Sequence, residues 1–150
     1  MFFAGGLIAI VYETIFTQRT DLKHNTNHHV ASLAAFFVSY LFIASASSIN
    51  QIYNLIISSL IGFLLIAVQR RNLIKHALYG ALVFTIFYFA IGTFFISFLG
   101  KYISGFWNLP ALSGITVFQF PLEEILYAFS FGLMWAPMYE YVKGRMMRGN

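Results

Sequence analysis

Two adjacent glutamates, Glu123 and Glu124, stand at the start of an apolar run that is long enough to cross a bilayer. Pro121 precedes them, and proline suits the first turn of a helix, where its missing N–H group costs nothing. The carboxylates then lie near unpaired N–H groups and the positive end of the helix dipole. Anchoring at an interface would explain one such acid. A second acid, with no basic residue between Lys101 and Lys143, favours a functional site, because ionisable groups at membrane depth usually have a function.

The chemistry that this pair suggests is proton transfer. Two carboxylates this close resist ionising together, and burial also favours the neutral acid, whereas the helix dipole favours the charged form. We therefore expect the pair Glu123 and Glu124 to share one proton. Such a pair contains an acid that can give a proton and a carboxylate that can take one.

Aromatic side chains follow the acids on one helix face. Residues three, four, seven and eleven positions apart share a face, and from Glu124 this face contains Tyr127, Phe131 and Trp135. Aromatic rings stabilise cations without acting as strong bases. Ordinary packing is the alternative, because aromatic residues make up 19% of the chain. An acid above an aromatic-walled cavity would nevertheless suit carbocation chemistry on a hydrocarbon.

The composition indicates a membrane protein. The 150 residues are 59% hydrophobic and only 9% charged, whereas a soluble domain has about 25% charged residues. We therefore predict an all-α integral membrane protein in which residues 1–150 form a single transmembrane domain. The chain has no cysteine, which excludes disulfides and thiolate metal sites. Its net charge of +4 lies in short loops and so does not indicate nucleic-acid binding.

Five apolar runs predict the helices, at about 2–17, 30–48, 51–69, 75–99 and 121–142. They are longer than typical strands and do not alternate with period two. If five helices alternate in direction, eight basic residues fall on one side and only Lys101 on the other. The positive-inside rule then places the N-terminus outside and the C-terminus in the cytoplasm. The eight are Arg19, Lys23, Arg70, Arg71, Lys75, Lys143, Arg145 and Arg148.

Two connections between the runs are informative. The segment 47–51, SSINQ, predicts a tight turn that makes the second and third runs an antiparallel hairpin. The segment 100–120 is long, rich in aromatic residues and interrupted by glycines and Pro110. We expect this irregular backbone to lie at the outer interface or to re-enter the bundle partly. Trp107 within it would suit an interfacial belt.

The first and last runs resemble each other. Phe2–Glu13 can be laid over Phe129–Glu140, and both segments end in Tyr-Glu followed by basic residues. Chance matching between aromatic-rich helices is the alternative. If the repeat is real, the chain is a fragment or one half of a pair. It would then associate with itself or with a related subunit through small residues such as Gly5 and Gly132.

An ordered set of motifs connects the acids to a known family. Trp107, Ser113–Ile115, Pro121–Glu124 and Tyr139–Glu140 occur in this order around an aromatic run. The segment of about 105–141 thereby resembles the conserved segment of the membrane-integral lycopene cyclases. These cofactor-free carotenoid cyclases occur as two small subunits or as a fused pair.

The resemblance has consequences for the site and its partners. It implies that Glu123 and Glu124 are catalytic and deliver the proton, with no cofactor and no metal. The expected ligand is a linear carotenoid or another isoprenoid, and a related subunit is the expected partner. We expect the substrate to contact four aromatic residues, and the location to be a bacterial or archaeal cell membrane. The four are Trp107, Tyr127, Phe131 and Trp135.

Other families with similar features fit less well. Membrane proteases of the CAAX type also use a Glu-Glu pair, but they need an arginine four residues after the second glutamate. Ala128 occupies that position, and no histidine follows His76. Flavin-dependent lycopene cyclases need a dinucleotide-binding glycine pattern, which the chain lacks.

The remaining polar groups have plainer interpretations. Glu13 and Glu140 are expected to anchor helix ends beside basic clusters, and the polar loop with His24, His28 and His29 has no carboxylate cluster that would make it a metal site. Two functions stay open. The chain is either a cyclase or cyclase subunit, or a non-catalytic membrane protein of the same fold that binds an isoprenoid or assembles with a partner.

Overall fold

The computed structural model describes residues 19–20, 31–103, 109–138 and 146–147. These ranges contain four α-helices, so the prediction of a helical chain is confirmed. The helices are α1 (Ala31–Ala46), α2 (Gln51–Gln69), α3 (Ile74–Ile103) and α4 (Leu122–Trp135). The first apolar run, 2–17, lies outside the described residues.

Two of these helical segments are long and apolar enough to cross a membrane, judged by length and composition. They are Gln51–Gln69 and Arg71–Gly100, and the second includes a 3₁₀ turn, Arg71–Leu73, in front of α3. Both exceed or approach the roughly 20 residues that a bilayer requires. Helices α1 and α4 are shorter, with 16 and 14 residues. Five spanning helices and their orientation stay predictions.

The predicted hairpin of α1 and α2 is confirmed. The side chain of Asn50 caps α2 by accepting a hydrogen bond from a backbone N–H of its first turn at 3.2 Å. Along the interface, the Ser32 hydroxyl donates to the Gly62 carbonyl at 2.7 Å. The Asn54 amide donates to the Tyr40 carbonyl at 3.1 Å. Because buried polar groups need partners, these bonds fix how the two helices pair.

Helix α4 packs antiparallel against α3 through glycines. Near its start, the Phe120 ring fills the space beside Gly92, and near its end a Cβ on Gly132 would lie only 2.7 Å from Ala81 Cα. Close approach of this kind needs a residue without a side chain. Gly132 therefore serves packing within the chain, and its predicted role in binding a second subunit stays a prediction. Gly5 lies outside the described residues.

The other side of α4 packs against α2. A Cβ on Gly62 would lie 2.9 Å from the Met134 sulfur. Around this contact the helices bury an apolar cluster. Its buried members are Phe36, Ile66, Leu73, Met134 and Met138. Helix α4 is thus held between α2 and α3, which fixes the position of its first turn.

A short hairpin leads the chain into α4. Strand β2 (Thr116–Val117) pairs antiparallel with β3 (Phe120–Pro121). Between them, Phe118 and Gln119 have φ values of 49° and 65°. Positive φ at both central residues is the pattern of a type I′ turn, which matches the twist of the flanking strands. The hairpin turns the chain back so that α4 begins beside α2 and α3.

The rest of this connection is only partly described. Helix α3 continues to Ile103, beyond the predicted end at 99, and Leu99 has non-helical angles that mark a kink. A 3₁₀ turn spans Leu109–Ala111. The expected irregular backbone is therefore observed over residues 109–121. Trp107 lies outside the described residues, and the position of the segment relative to a bilayer stays a prediction.

One further pairing joins segments distant in sequence. Strand β1 (Arg19–Thr20) pairs antiparallel with β4 (Met146–Met147). Residues 19–20 and 146–147 therefore lie side by side. The charge pattern also assigns these two segments to one side of the bundle.

Candidate active site

Glu123 is the most buried of the acids in the described ranges, with 3% of its surface exposed. Its Oε1 atom accepts a hydrogen bond from the Tyr53 hydroxyl at 2.9 Å and another from the Ser113 backbone N–H at 2.7 Å. Tyr53 lies in the first turn of α2, and Ser113 follows the 3₁₀ turn. Two segments distant in sequence thus donate to one carboxylate oxygen of α4.

The second oxygen of Glu123 has no such support. Oε2 is buried and has no hydrogen-bond partner among the residues that the structure describes. A buried polar atom without a partner costs free energy, and native structures keep few of them, often for a catalytic role. The carboxyl group therefore has one oxygen held by two donors and one buried oxygen without a donor in the described part of the chain.

The side chain of Glu124 is directed towards α3. Its Oε2 atom accepts a hydrogen bond from the Tyr88 hydroxyl of α3 at 2.7 Å, and its side chain is half-buried. The two adjacent glutamates thus bond to tyrosines on different helices, Glu123 to α2 and Glu124 to α3. The sharing of one proton between them stays a prediction.

The predicted aromatic face forms a continuous row along α4. The ring centroids of Tyr127 and Phe131 lie 5.5 Å apart, and those of Phe131 and Trp135 lie 5.6 Å apart. Spacings of this size are typical of favourable ring pairs. Three of the four expected substrate contacts are therefore neighbours in space. Their contact with a substrate stays a prediction, as does that of Trp107.

Tyr88 connects Glu124 to this row. Its ring lies 5.8 Å from Phe84, 5.8 Å from Phe120 and 6.3 Å from Tyr127, measured between centroids. The ring of Tyr88 thus contacts three aromatic rings, while its hydroxyl group binds Glu124. The structure brings together the acid pair and the aromatic row as one site at the start of α4.

Sequence reasoning missed Tyr53 and Tyr88. Each tyrosine belongs to an apolar run with no motif around it. Tyr53 is 70 positions from its partner Glu123, and Tyr88 is 36 positions from its partner Glu124. A weak signal was present, because a tyrosine in a buried segment usually needs a hydrogen-bond partner for its hydroxyl. Only the pairing of the helices identifies that partner.

Several other predicted features cannot be placed. Among the described residues, no group of three or more histidine, cysteine, aspartate and glutamate side chains could hold a metal ion. The remaining candidates lie outside those residues. They are Glu13, Glu140, His24, His28 and His29. The first segment of the apparent repeat, residues 2–13, also lies outside the described residues, as do the last two residues of the second segment, 139–140.

The fold and the site define a helical bundle with an acid pair set against aromatic rings. The model of the lycopene cyclase family matches residues 50–142, and the chain belongs to this family. The match includes α2, α3, α4 and both glutamates, and so exceeds the segment of about 105–141 that shows the resemblance. Family membership implies a carotenoid substrate. Neither curated proteins nor solved structures give a match to the chain.

Proposed function

We propose that the chain is a carotenoid cyclase, alone or as one subunit of a pair, and that Glu123 and Glu124 start the reaction by protonating a linear carotenoid. The observation that supports this most directly is the buried Oε2 atom of Glu123, which has no partner in the described part of the chain. It belongs to a carboxyl group at the head of an aromatic row, in a domain of the lycopene cyclase family.

The proposed reaction has three steps. The acid adds a proton to the terminal double bond of the carotenoid, which leaves a cation on the neighbouring carbon. The π electrons of the next double bond along form a new carbon–carbon bond to this cation and close a six-membered ring. A carboxylate then removes a proton beside the ring cation, and a ring double bond forms. One proton enters and one leaves, so the reaction is an isomerisation without redox change and needs no cofactor.

The aromatic row would stabilise the cation. Phe131 and Trp135 are half-buried, so their rings contribute to the core and still offer part of their surface to a ligand. Cation–π attraction is strongest where water is excluded. Tyr127 lies between the acids and these rings, and Trp107 is proposed to contact the substrate from the connection before α4.

The surface of the bundle supports a location in the membrane. Helix α3 exposes large apolar side chains along its length, including Ile86 at 65% and Phe98 at 74%. Water-soluble proteins rarely expose contiguous apolar patches of this kind. A hydrocarbon substrate dissolves in the bilayer and would reach the site from there. We propose an integral protein of a bacterial or archaeal cell membrane, with its C-terminus in the cytoplasm.

Pigment analysis in a lycopene-accumulating host tests the proposal. The wild-type chain is expressed with and without a related cyclase subunit, and carotenoids with cyclic ends are expected in at least one case. The double variant Glu123→Gln/Glu124→Gln should form none at equal protein level. The matched control is Tyr79→Phe on α3, whose side chain is 65% exposed.

Two outcomes would contradict the proposal. If the double variant still forms rings, the acids are not catalytic. If the wild type leaves lycopene unchanged in both settings, the chain is not a lycopene cyclase. Retention of labelled carotenoid by the purified protein would then support the second function, a non-catalytic carotenoid-binding protein.

A further inference from the structure

We infer that Phe118, at the tip of the hairpin before α4, and Phe89 of α3 form an entrance through which the linear carotenoid passes from the bilayer to the acid pair. We call these two residues the entrance. The inference rests on the proposed cyclase function and extends it to the route of the substrate. Neither residue belongs to the acid pair or to the aromatic row of α4.

The hairpin holds Phe118 in a backbone conformation that phenylalanine rarely adopts. Its φ value is 49°, and that of the next residue, Gln119, is 65°. The two central positions of a type I′ turn favour asparagine and glycine, whereas a positive φ is strained for a bulky residue. Such strain often persists at sites that hold a ligand. The ring at the tip therefore needs an explanation other than formation of the turn.

Packing within the chain does not supply that explanation. Phe118 is 76% exposed, whereas Phe120 is only 3% exposed. The Phe120 ring fills the space beside Gly92 of α3, so Phe120 already attaches the hairpin to this helix. Since the hydrophobic contribution of a side chain scales with the area that it buries, the Phe118 ring adds little to this attachment. Its apolar surface is available to a hydrocarbon outside the protein.

Ring contacts connect the exposed tip to the acid pair. The Phe118 ring lies 6.2 Å from the Phe89 ring, and the Phe89 ring lies 5.7 Å from that of Phe120, measured between centroids. Phe120 in turn lies 5.8 Å from Tyr88, whose hydroxyl donates to Glu124. The series runs from a ring on the surface to the residue that binds the acid. A polyene that moves along these rings exchanges one aromatic contact for the next until it reaches the acid.

A lipid chain is the other hydrocarbon that the tip could contact. Contact with lipid needs no strained backbone, because α3 exposes large apolar side chains on its surface, for example Phe98 at 74%. The Phe98 ring contacts Phe94 of the same helix, whereas the contacts of Phe118 lead to Glu124. A linear carotenoid also has a flat π system, which suits packing against aromatic rings. These differences favour the carotenoid over a lipid chain.

Kinetics in vesicles test the entrance. The protein, with its related subunit where needed, is reconstituted into phosphatidylcholine vesicles that contain lycopene at a series of mole fractions, and initial rates of cyclic carotenoid formation are measured. Phe118→Asn removes the ring and supplies a residue that the turn favours. The mole fraction for half-maximal rate should rise roughly two- to tenfold, the effect of one lost aromatic contact, at an unchanged maximal rate. The unfolding midpoint in detergent should equal or exceed that of the wild type, since asparagine tolerates positive φ.

Three further variants separate the ring from the turn and from general contact with lipid. Gln119→Gly relaxes the second positive φ and keeps the ring, so it should retain the wild-type kinetics. Phe98→Asn makes the same side-chain change at a comparably exposed position and should also retain them. Phe89→Leu removes the second ring of the entrance and should raise the half-maximal mole fraction as Phe118→Asn does. Protein level and elution volume in detergent confirm that each variant folds.

Three results would overturn the inference while the proposed function stands. An unchanged half-maximal mole fraction in Phe118→Asn would remove the ring from the route of the substrate. A lower maximal rate at an unchanged half-maximal mole fraction would assign the ring to the reacting centre instead. Equal effects of Phe118→Asn and Phe98→Asn would show that both rings merely contact lipid.

Binding tests the entrance if the wild type forms no rings with or without the related subunit, a result with which the proposed function itself fails. A carotenoid bound to the protein quenches its tryptophan fluorescence. In the same vesicles, half-maximal quenching should need roughly two- to tenfold more lycopene in Phe118→Asn than in the wild type. Equal quenching curves would overturn the inference as well.

Discussion

Tyr88 and Glu124 are joined by a hydrogen bond of 2.7 Å across the interface of α3 and α4. The bond has two consequences, because it orients a carboxylate and it also fixes the register of two helices. The chain between these residues includes the end of α3 and the hairpin before α4. The geometry of the candidate site therefore depends on how that connection folds.

Loss of this bond should destabilise the bundle. Tyr88→Phe keeps the ring and its contacts but leaves Glu124 without the hydroxyl donor. A typical hydrogen bond contributes about 0.5–1.5 kcal/mol to stability, so we expect a decrease of roughly this size in the free energy of unfolding. Denaturation of the purified protein in mild detergent measures it. Tyr79→Phe, at an exposed position of the same helix, should change stability by less than about 0.5 kcal/mol; equal losses for both variants would contradict this prediction.

The glycine contacts of α4 predict a second stability effect. In Gly132→Ala the new Cβ would meet the Ala81 backbone at 2.7 Å, and backbone cannot move aside cheaply. Overpacking of this kind costs about 1–3 kcal/mol. The matched control is Gly100→Ala on α3, where a Cβ meets nothing within 4 Å and alanine favours the helix. We expect the first variant to unfold at lower denaturant concentration and the second to equal or exceed the wild type.

A result in which Gly132→Ala affects only the oligomeric state, with stability unchanged, would contradict this prediction and support the role in subunit association that the sequence suggests. Size-exclusion chromatography in the same detergent distinguishes the two effects.

The orientation in the membrane is a third prediction. The distribution of lysine and arginine predicts that the C-terminus lies in the cytoplasm and the connection after α3 outside. A reporter fused after Arg148 should therefore report a cytoplasmic location, and one inserted near Gly105 an external one. The opposite pattern would place Glu123 and Glu124 at the cytoplasmic side, because α4 begins directly after this connection.

The helices show how far the sequence predicts the fold. The run of 51–69 matches α2, Gln51–Gln69, because polar residues stand at both ends and Asn50 caps the first turn. The run of 75–99 underestimates α3, which continues to Ile103. Lys101 ends the apolar pattern, but helical hydrogen bonds do not depend on hydrophobicity. Patterns of apolar residues thus locate the helices well and their ends less well.

The sequence predicts only those site residues that lie close together along the chain. Glu123 and Glu124 stand out by their charge, and helical spacing groups Tyr127 with Phe131 and Trp135. The partners of the acids depend on packing between distant segments, for example the 70 positions between Tyr53 and Glu123. Without that information, two adjacent carboxylates suggest one shared proton. Their distinct partners become visible only when α2 and α3 are placed on either side of α4.

The aromatic row gives the last prediction. If Phe131 and Trp135 stabilise the cation, Trp135→Leu should slow ring formation without abolishing it. Cation–π contacts contribute about 0.5–2 kcal/mol, which corresponds to a decrease of roughly two- to thirtyfold in rate. The loss should be smaller than that of Glu123→Gln, since the leucine leaves the acid in place. Initial rates of cyclic carotenoid formation, normalised to protein level, measure the effect. Phe98→Leu, at a position with 74% exposure, is the matched control and should retain the wild-type rate. An unchanged rate in Trp135→Leu would remove this ring from the path of the cation and leave it a packing role against the core of α1, α2 and α4.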